Sequence, residues 1–247
     1  IVRILHSLST KTKAYGMKPV KINPHHINKN TYEKHAWSYD QYVVGVDEVG
    51  RGCLAGPVVT AAVMLPLHTQ YHLLQDSKHI TQKNRQKAFH WIEENAWTAW
   101  ALVSPHMIDK LNIYQATLYA MRRAITQLLV QIHTTPSTLL VDGMPMTYTG
   151  CFSSIYQISS GEQKSSSIAA ASIFAKEQRD RVMRNMHETF PVYNLNSHKG
   201  YATPSHKKQL TRFNASFIHR KNFITWLDQN ISTYATPPGN NGDSEVS

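Results

Sequence analysis

Short apolar runs of strand length alternate with segments of helical periodicity along most of the chain. Two β-branched runs, 42–46 and 58–64, are separated by a glycine-rich turn and predict a hairpin. Apolar residues at helical spacing separate the strand-like runs that follow. Further strands are predicted over 97–103, 139–141 and 155–158, and helices over 81–95, 112–133 and 165–190 and from about 205 and about 220. This alternation predicts an α/β fold, a mixed sheet flanked by helices, with a C-terminal helical region.

The two ends of the chain differ in composition from its centre. Residues 1–40 mix Lys, His, Asn, Thr and Pro without a sustained period, which predicts a basic, weakly ordered N-terminal extension. Residues 41–227 predict the folded domain, since a chain of 247 residues with 41% hydrophobic content can bury a sizeable core. Residues 228–247 combine Pro, Gly and Asn with three acids and no base, which predicts a disordered acidic tail.

The cysteine count and the length of the apolar runs exclude other classes of protein. Two cysteines, Cys53 and Cys151, cannot make a disulfide framework or a four-thiolate zinc site, so we expect a reducing compartment and a cytoplasmic location. No apolar run approaches the roughly 20 residues that a bilayer span requires, so no membrane anchor is predicted. Nothing in the sequence demands an oligomer, and a monomer is expected.

Positive charge is concentrated in part of the sequence. The formal net charge is +10, and residues 191–227 contain six Lys and Arg residues and no acid. Aromatic and histidine side chains are interleaved with these bases, a composition that suits a polyanion such as nucleic acid. On charge alone an alternative stays open, in which these bases lie on a solvated helix face whose aromatics turn to the core.

Two predicted buried strands end on carboxylates. Asp47 and Glu48 follow the first strand, and Asp142 follows a later one. A buried acid is costly unless it binds something, and hard oxygen ligands of this kind suit Mg²⁺ or Mn²⁺. Because successive strand side chains point to opposite faces, Asp47 and Glu48 share a site only if the strand bends, and Gly50 and Gly52 supply that freedom. For any one of the acids alone, a turn or helix cap is the alternative.

Residues 42–59 read Tyr-Val-Val-Gly-Val-Asp-Glu-Val-Gly-Arg-Gly-Cys-Leu-Ala-Gly-Pro-Val-Val. This segment closely resembles the signature of the ribonuclease HII family, the prokaryotic type 2 ribonucleases H. The resemblance spans about residues 42 to 225 and implies a ribonuclease H-like fold. It also implies an endonuclease acting on RNA in RNA/DNA hybrids, including a single ribonucleotide inside duplex DNA. Further matching motifs occur in order: Asp76-Ser77-Lys78, Val141-Asp142-Gly143, Gly161-Glu162, Ser167 to Lys176, Arg179-Asp180-Arg181, Lys199-Gly200-Tyr201 and His219-Arg220.

The resemblance implies roles for individual acids. Asp47, Glu48 and Asp142 fall on the family's metal-binding positions, where two divalent ions, Mn²⁺ or Mg²⁺, activate a water and stabilise the leaving 3′ oxygen. The products are 5′-phosphate and 3′-hydroxyl ends. The family usually has Gly-Asp before its small-residue helix, whereas this chain has Glu162, which we expect to take the fourth catalytic position. Asp180 is the alternative, and for it a surface ion pair is favoured.

The resemblance also implies how RNA is distinguished from DNA, which requires sensing one 2′-hydroxyl. The loop Gly50-Arg51-Gly52 falls on the family's loop for that contact, and Tyr201 falls on its tyrosine. A phenol can donate to the 2′ oxygen while its ring stacks on the neighbouring deoxyribose. Residues with candidate phosphate contacts are Arg51, Lys78, Lys199 and, in addition, Arg220.

The implied partners are RNA/DNA hybrids and ribonucleotide-containing duplex DNA. The expected cellular role is ribonucleotide removal and RNA primer processing. A second hypothesis stays open, because Glu162 replaces the usual aspartate. In that hypothesis the chain is a nucleic-acid-binding protein of the same fold that has lost efficient turnover.

Overall fold

The structure is a computed structural model that describes residues 28–77, 79–148 and 150–227. Its strands are β1 (Val43–Val49), β2 (Val58–Met64), β3 (Trp97–Val103), β4 (Thr138–Asp142) and β5 (Ser154–Ile158). Its helices are α1 (Thr31–Trp37), α2 (Gln82–Asn95), α3 (Pro105–Leu111), α4 (Ile113–Gln131), α5 (Gly161–Lys164), α6 (Ser166–Thr189), α7 (Leu195–His198) and α8 (Pro204–Phe213). Two 3₁₀ turns, Pro191–Tyr193 and Lys221–Phe223, complete the described elements.

The strands form one five-stranded sheet in the order β3-β2-β1-β4-β5. β1 and β3 pair with β2 antiparallel, whereas β4 pairs parallel with both β1 and β5. The predicted hairpin and the mixed sheet are therefore confirmed. Because β1 and β4 are parallel, their carboxyl ends meet at one edge of the sheet, which is where ligand sites of open α/β sheets are found.

Helices cover both faces of the sheet. Val44 and Val46 pack against apolar side chains of α4, whereas Ala61 and Val63 of β2 pack against the alanine-rich part of α6. At Gly45 the backbone of α6 comes so close that an added Cβ would lie 2.2 Å from the carbonyl carbon of Ser167. The small side chains on both elements allow this approach, which brings α6 directly against β1.

Side-chain caps explain where the main helices begin. The Oγ1 atom of Thr81 accepts from the Asn84 amide, and the Oγ atom of Ser165 accepts from the Ile168 amide at 3.0 Å. These caps satisfy amides that have no partner within the helix. The helix predicted from about residue 220 begins later, since the 3₁₀ turn Lys221–Phe223 precedes the helical residues 225–227. The Asp109 carboxylate accepts the amides of Lys221 and Asn222 there and ties this stretch to α3.

The expectation of a weakly ordered N-terminal extension does not hold for residues 28–40. Glu33 of α1 is fully buried and accepts from the Ser165 hydroxyl and, at 3.1 Å, from the Ser167 amide. The side chain of Asn30 accepts from the Ser166 amide at 2.8 Å. α1 thus caps the start of α6 with acceptors about 130 positions away in sequence, a separation that local patterns do not reveal. Residues 1–27 and the tail predicted over 228–247 lie outside the described residues.

Replacing Glu33 by Ala should lower the free energy of unfolding by about 2 kcal/mol, because two donors at the start of α6 lose their acceptor. Urea denaturation of the full chain measures this change. Lys34→Ala is the matched control on the same helix, since Lys34 is exposed, and we expect a change within about 0.5 kcal/mol. Equal stability of the two variants would show that α1 does not support α6.

Candidate active site

A cavity of about 270 Å³ opens at the edge of the sheet where β1 and β4 end. All four acids predicted as catalytic line it, and they come from β1, from β4 and from the single-turn helix α5. The remaining lining residues are Val49, Ser77, Ile80, Arg85, Ser172, Lys176 and Tyr201. The acids are therefore assembled from positions up to 115 residues apart.

Asp47 and Glu48 reach this cavity without the bend that the sequence suggested. β1 stays in register with β2 through Glu48 and on to Val49, so the strand is continuous at both acids. Its pairing with β4, in contrast, ends at Val46 and Val141. The opening beyond this last pair admits side chains from both faces of β1, which removes the need for a bend.

Asp47 has a strongly perturbed pKa. Burial raises its pKa well above the usual range, and the charges of Glu48, Asp142 and Glu162 raise it further. A hydrogen bond from Ser172 opposes these effects. Together the carboxylates repel one another in a dry space, so their anionic forms need positive charge nearby.

Glu48 lies next to a basic residue of the glycine loop. Burial raises its pKa, while the Arg51 guanidinium, 3.2 Å from Oε1, lowers it. The second oxygen, Oε2, is buried and has no hydrogen-bond partner in the described part of the chain. An orphaned carboxylate oxygen facing an acidic cavity is suited to a cation.

Asp142 and Glu162 are held by protein donors. The Gly161 amide donates to Oδ1 of Asp142 at 2.7 Å. The Ser172 hydroxyl donates to Oε1 of Glu162 at 2.5 Å, and Ser77 lies 3.4 Å from the same oxygen. The longer side chain at position 162 thus reaches across to α6.

The four carboxylates fit a divalent cation by their chemistry, because they offer only hard oxygen atoms and destabilise one another without positive charge. Among the described residues, however, no three His, Cys, Asp or Glu side chains are grouped so that they could hold an ion as they stand. The four carboxylates, which all line the cavity, would have to draw closer together to hold one.

The tyrosine predicted to read the sugar stands at the mouth of the cavity. Tyr201 is 39% exposed, and a β-bridge to Cys53 joins its backbone to the segment after the glycine loop. The Cζ atom of Arg179 lies 5.6 Å from the ring centroid, and Nζ of Lys176 lies 5.8 Å from it. The ring is therefore held by cations on α6 while one side stays open to a ligand.

Arg220 does not contact solvent, so its predicted contact with phosphate is wrong. It is fully buried, and its guanidinium donates at 2.7 Å to the carbonyls of both Gly50 and Arg51. Gly50 has φ 92°, a conformation that glycine adopts without strain. Arg179 supports the same region by donating to the carbonyls of Ala55 and Pro57. The buried guanidinium groups of Arg179 and Arg220 thus hold the backbone within and after the loop Gly50-Arg51-Gly52.

The sequence predicts two further phosphate contacts, Lys78 and Lys199. Lys78 is not among the described residues. The Lys199 ammonium donates to the carbonyl of Asn196, and Lys199 does not line the cavity. Asp180 is buried instead of lying on the surface, and its ion-pair partner is Lys176 at 2.8 Å. Since Asp180 also lies outside the cavity lining, Glu162 is the better placed of the two for the fourth position.

Known proteins resemble this chain over most of its length. The family model described as Ribonuclease HII matches residues 44–226. The chain belongs to the ribonuclease HII family. A Ribonuclease HII of Staphylococcus epidermidis is 40% identical over 223 residues, covering 89% of this chain and 84% of that protein. A Ribonuclease HII of Desulfotalea psychrophila is 43% identical over 193 residues, with 76% and 83% covered. The predicted family and enzyme class, a hydrolytic endoribonuclease, are confirmed.

Solved structures share the fold of this ribonuclease HII. The ribonuclease H2 of Pyrococcus horikoshii OT3 superposes with a TM-score of 0.66 at 21% identity, covering 77% of this chain and 99% of that chain. Bst-RNase HIII in complex with Mn²⁺ superposes with a TM-score of 0.63 at 16% identity, covering 92% of this chain and 78% of that chain. The predicted ribonuclease H-like fold is confirmed.

Four polar residues of the ribonuclease HII cavity were not predicted as site residues: Ser77, Arg85, Ser172 and Lys176. Ser172 and Lys176 lie four positions apart on α6 and therefore share one helix face, a spacing that was visible within the alanine-rich stretch. Arg85 reaches the cavity from α2 and pairs with Glu177 at 2.6 Å. No local pattern indicates Arg85, because its partner is distant in sequence.

Among the described helices, none has the length and apolarity that crossing a membrane requires.

Proposed function

We propose that this ribonuclease HII hydrolyses the RNA strand of RNA/DNA hybrids and cuts on the 5′ side of single ribonucleotides embedded in duplex DNA. Asp47, Glu48, Asp142 and Glu162 hold divalent cations, Mg²⁺ or Mn²⁺, for this reaction. The observation that carries the proposal is the convergence of all four carboxylates on one cavity, where burial and the charges of the other three raise the pKa of Asp47. Bound cations relieve repulsion of this kind between carboxylates. A cluster of acids that repel one another is typical of a functional site.

Two divalent ions bound by these acids would supply an activated water and a charge that stabilises the leaving 3′ oxygen. The chain itself orients the groups around the reacting phosphate. Lys176 lines the cavity and is paired with Asp180, so its ammonium is held in place close to the acids. Ser172 and the Gly161 amide keep Glu162 and Asp142 at the cavity wall before the cations arrive.

Recognition of ribose is assigned to the glycine loop and to Tyr201. The carbonyls of Gly50 and Arg51 are fixed by Arg220, so the peptide groups of this loop present a rigid surface to the sugar. The phenol of Tyr201 donates to the 2′ oxygen, and its exposed ring stacks on the adjacent deoxyribose. This pair of contacts favours an RNA-to-DNA junction.

A cleavage assay tests the proposal. Full-length protein is mixed with duplex DNA that contains one ribonucleotide, in Mg²⁺ or in Mn²⁺, and the products are sized and their ends identified. We expect a cut on the 5′ side of the ribonucleotide with 5′-phosphate and 3′-hydroxyl ends. Binding of the duplex without any cut in either metal would replace the proposal with the alternative of a protein that only binds nucleic acid.

Replacing Glu162 by Asp should keep kcat within about threefold of the parent or raise it, since the shorter acid still offers two oxygens at the same cavity. The isosteric Glu162→Gln is the matched control and should lower kcat by about 10²-fold, because an amide carries no charge for the cation. Initial rates on the single-ribonucleotide duplex measure both. Complete loss of activity in Glu162→Asp would show that this position is not the fourth ligand.

Replacing Tyr201 by Phe should reduce the preference for a junction duplex over a duplex without ribonucleotides about five- to tenfold, the worth of one hydrogen bond. Metal affinity, measured by titrating the rate with Mn²⁺, should change much less. Tyr114→Phe removes the hydroxyl of an exposed tyrosine on α4 and serves as the control. An unchanged junction preference in Tyr201→Phe would refute the role assigned to this phenol.

The chain is further proposed to act as a monomer in the cytoplasm, in ribonucleotide removal and RNA primer processing. Support comes from its two free thiols, Cys53 and Cys151, and from the family to which it belongs. Sedimentation of the full chain in the presence and absence of duplex tests the monomer, and a stable dimer without duplex would overturn it.

A further inference from the structure

Three imidazoles, His198, His206 and His219, are buried together behind Tyr201. The rings of His198 and His206 stack with centroids 4.3 Å apart, and the Nε2 atoms of His206 and His219 lie 3.2 Å apart. None of the three lines the acidic cavity. The cluster is therefore separate from the acids but in contact with the residue proposed to read the sugar.

The hydrogen bonds of the cluster define one tautomer for each of two rings. The Ser216 amide donates to Nδ1 of His219 at 3.1 Å, so this nitrogen carries no proton. The proton of a neutral His219 is then on Nε2, which donates to Nε2 of His206. His206 in turn carries its proton on Nδ1, which donates at 2.9 Å to the carbonyl of Tyr201. The result is a chain of hydrogen bonds with a single direction.

The same two rings connect both parts of the sugar-reading surface. His219 forms a β-bridge with Ala55, and the Gly56 amide donates to the Ile218 carbonyl at 2.8 Å. This places the His219 segment against the residues that follow the glycine loop. His206, from α8, holds the backbone of Tyr201. The contact between the two rings thus links the glycine loop to Tyr201.

Both rings are held in the neutral form by their surroundings. Burial, together with the smaller effect of neighbouring histidines, lowers the pKa of both His206 and His219 to about 4. Besides each other, the facing titratable groups are His198 and the ring of Tyr193, which packs on His219. A proton added to Nε2 of His206 would set two N–H groups against each other across the 3.2 Å contact, and a proton added to Nδ1 of His219 would face the Ser216 amide.

We propose that His206 and His219 are positioning residues that set Tyr201 relative to the loop Gly50-Arg51-Gly52 and thereby tune the preference for a ribonucleotide junction. The inference rests on the proposed role of Tyr201 in contacting the 2′ oxygen. Neither imidazole touches the substrate. Their direction of hydrogen bonding holds the Tyr201 carbonyl in place, and the mutual contact adds to the β-bridge between Tyr201 and Cys53 in holding the distance between the two sugar-reading elements.

Two substitutions at His206 test whether the hydrogen bond to the Tyr201 carbonyl, and not the volume of the imidazole ring, positions Tyr201. In His206→Asn the amide nitrogen takes the place of Nδ1 and still donates to the Tyr201 carbonyl, whereas in His206→Gln it reaches only the place of Nε2. We expect the junction preference to stay within about twofold in the Asn variant and to fall about five- to tenfold in the Gln variant. Thr211→Ala, exposed on α8, is the control. Equal junction preferences in the two His206 variants would overturn the inference.

Imidazole nitrogen NMR shifts of the full chain give a second readout that does not depend on activity or on the folding of any variant. At neutral pH we expect His206 with its proton on Nδ1 and His219 with its proton on Nε2. Charged rings or the opposite tautomers would overturn the positioning role even if cleavage is normal. A parent protein that shows these tautomers but cuts no duplex would instead sink the proposed function.

Discussion

Replacing Asp142 by Asn should lower the rate of cleavage at an embedded ribonucleotide by at least about 10²- to 10³-fold in either Mg²⁺ or Mn²⁺. The amide keeps an oxygen that accepts from the Gly161 amide, so the local fold is retained. It loses the negative charge that a divalent cation requires. Single-turnover rates on the duplex with one ribonucleotide measure the loss.

The same substitution should leave the free energy of unfolding unchanged or raise it. The charge of Asp142 is one of those that raise the pKa of Asp47, so its removal relieves repulsion in the cavity. A fall in activity without a fall in stability is expected when a carboxylate serves catalysis and not folding. Asp40→Asn is the matched control and should change neither activity nor stability. Asp40 is exposed and lies just before β1, at the end of that strand away from the cavity. Cleavage retained in Asp142→Asn would remove this residue from the proposed mechanism.

Replacing Gly45 by Ala should lower the free energy of unfolding by about 3 kcal/mol or more. The added Cβ would lie 2.2 Å from the carbonyl carbon and 2.3 Å from the carbonyl oxygen of Ser167. Both atoms belong to the backbone of α6, so no side-chain rotation relieves the clash. Guanidinium denaturation of the full chain measures the loss.

Gly52→Ala is the matched control for stability, because a Cβ there would meet no atom within 4 Å. We expect it to cost less than about 1 kcal/mol. If Gly45→Ala folds, α6 must have moved away from β1, and Ser172 and Lys176 would shift relative to Asp47. Cleavage should then fall as well. A loss of stability under about 1 kcal/mol in Gly45→Ala would show that the contact between α6 and β1 adjusts freely.

Much of the secondary structure follows from local patterns. β2 and residues 166–175 of α6 are buried on every side, and continuous apolar or small-residue runs predicted them. The spacing of apolar residues in β3 and α4 reflects the residues that each element buries on one face. Periodicity reports this burial because it repeats within a single element. The short helices α3 and α5 were not predicted, since seven and four residues are too few to show a period.

The candidate site was predicted in part. Asp47, Glu48 and Asp142 stood out because carboxylates after buried strands are unusual, and Glu162 was added by resemblance to a family. The predicted bend after Glu48 was wrong, since it assumed that alternation alone decides which side chains meet. The opening between β1 and β4 depends on where two distant strands stop pairing, which neither strand shows by itself.

The sequence by itself determined the order of the five strands and the long helices along the chain, the family, and the choice of candidate acids, because each is a property of nearby residues or of matching motifs. Only the tertiary structure decided that Glu33 caps α6, that Arg220 is buried under the glycine loop, and that His206 and His219 stand behind Tyr201. The physical reason is common to all three. A buried polar group must find its partner wherever the folded chain places one, and that partner lies at a sequence separation on which no local pattern depends.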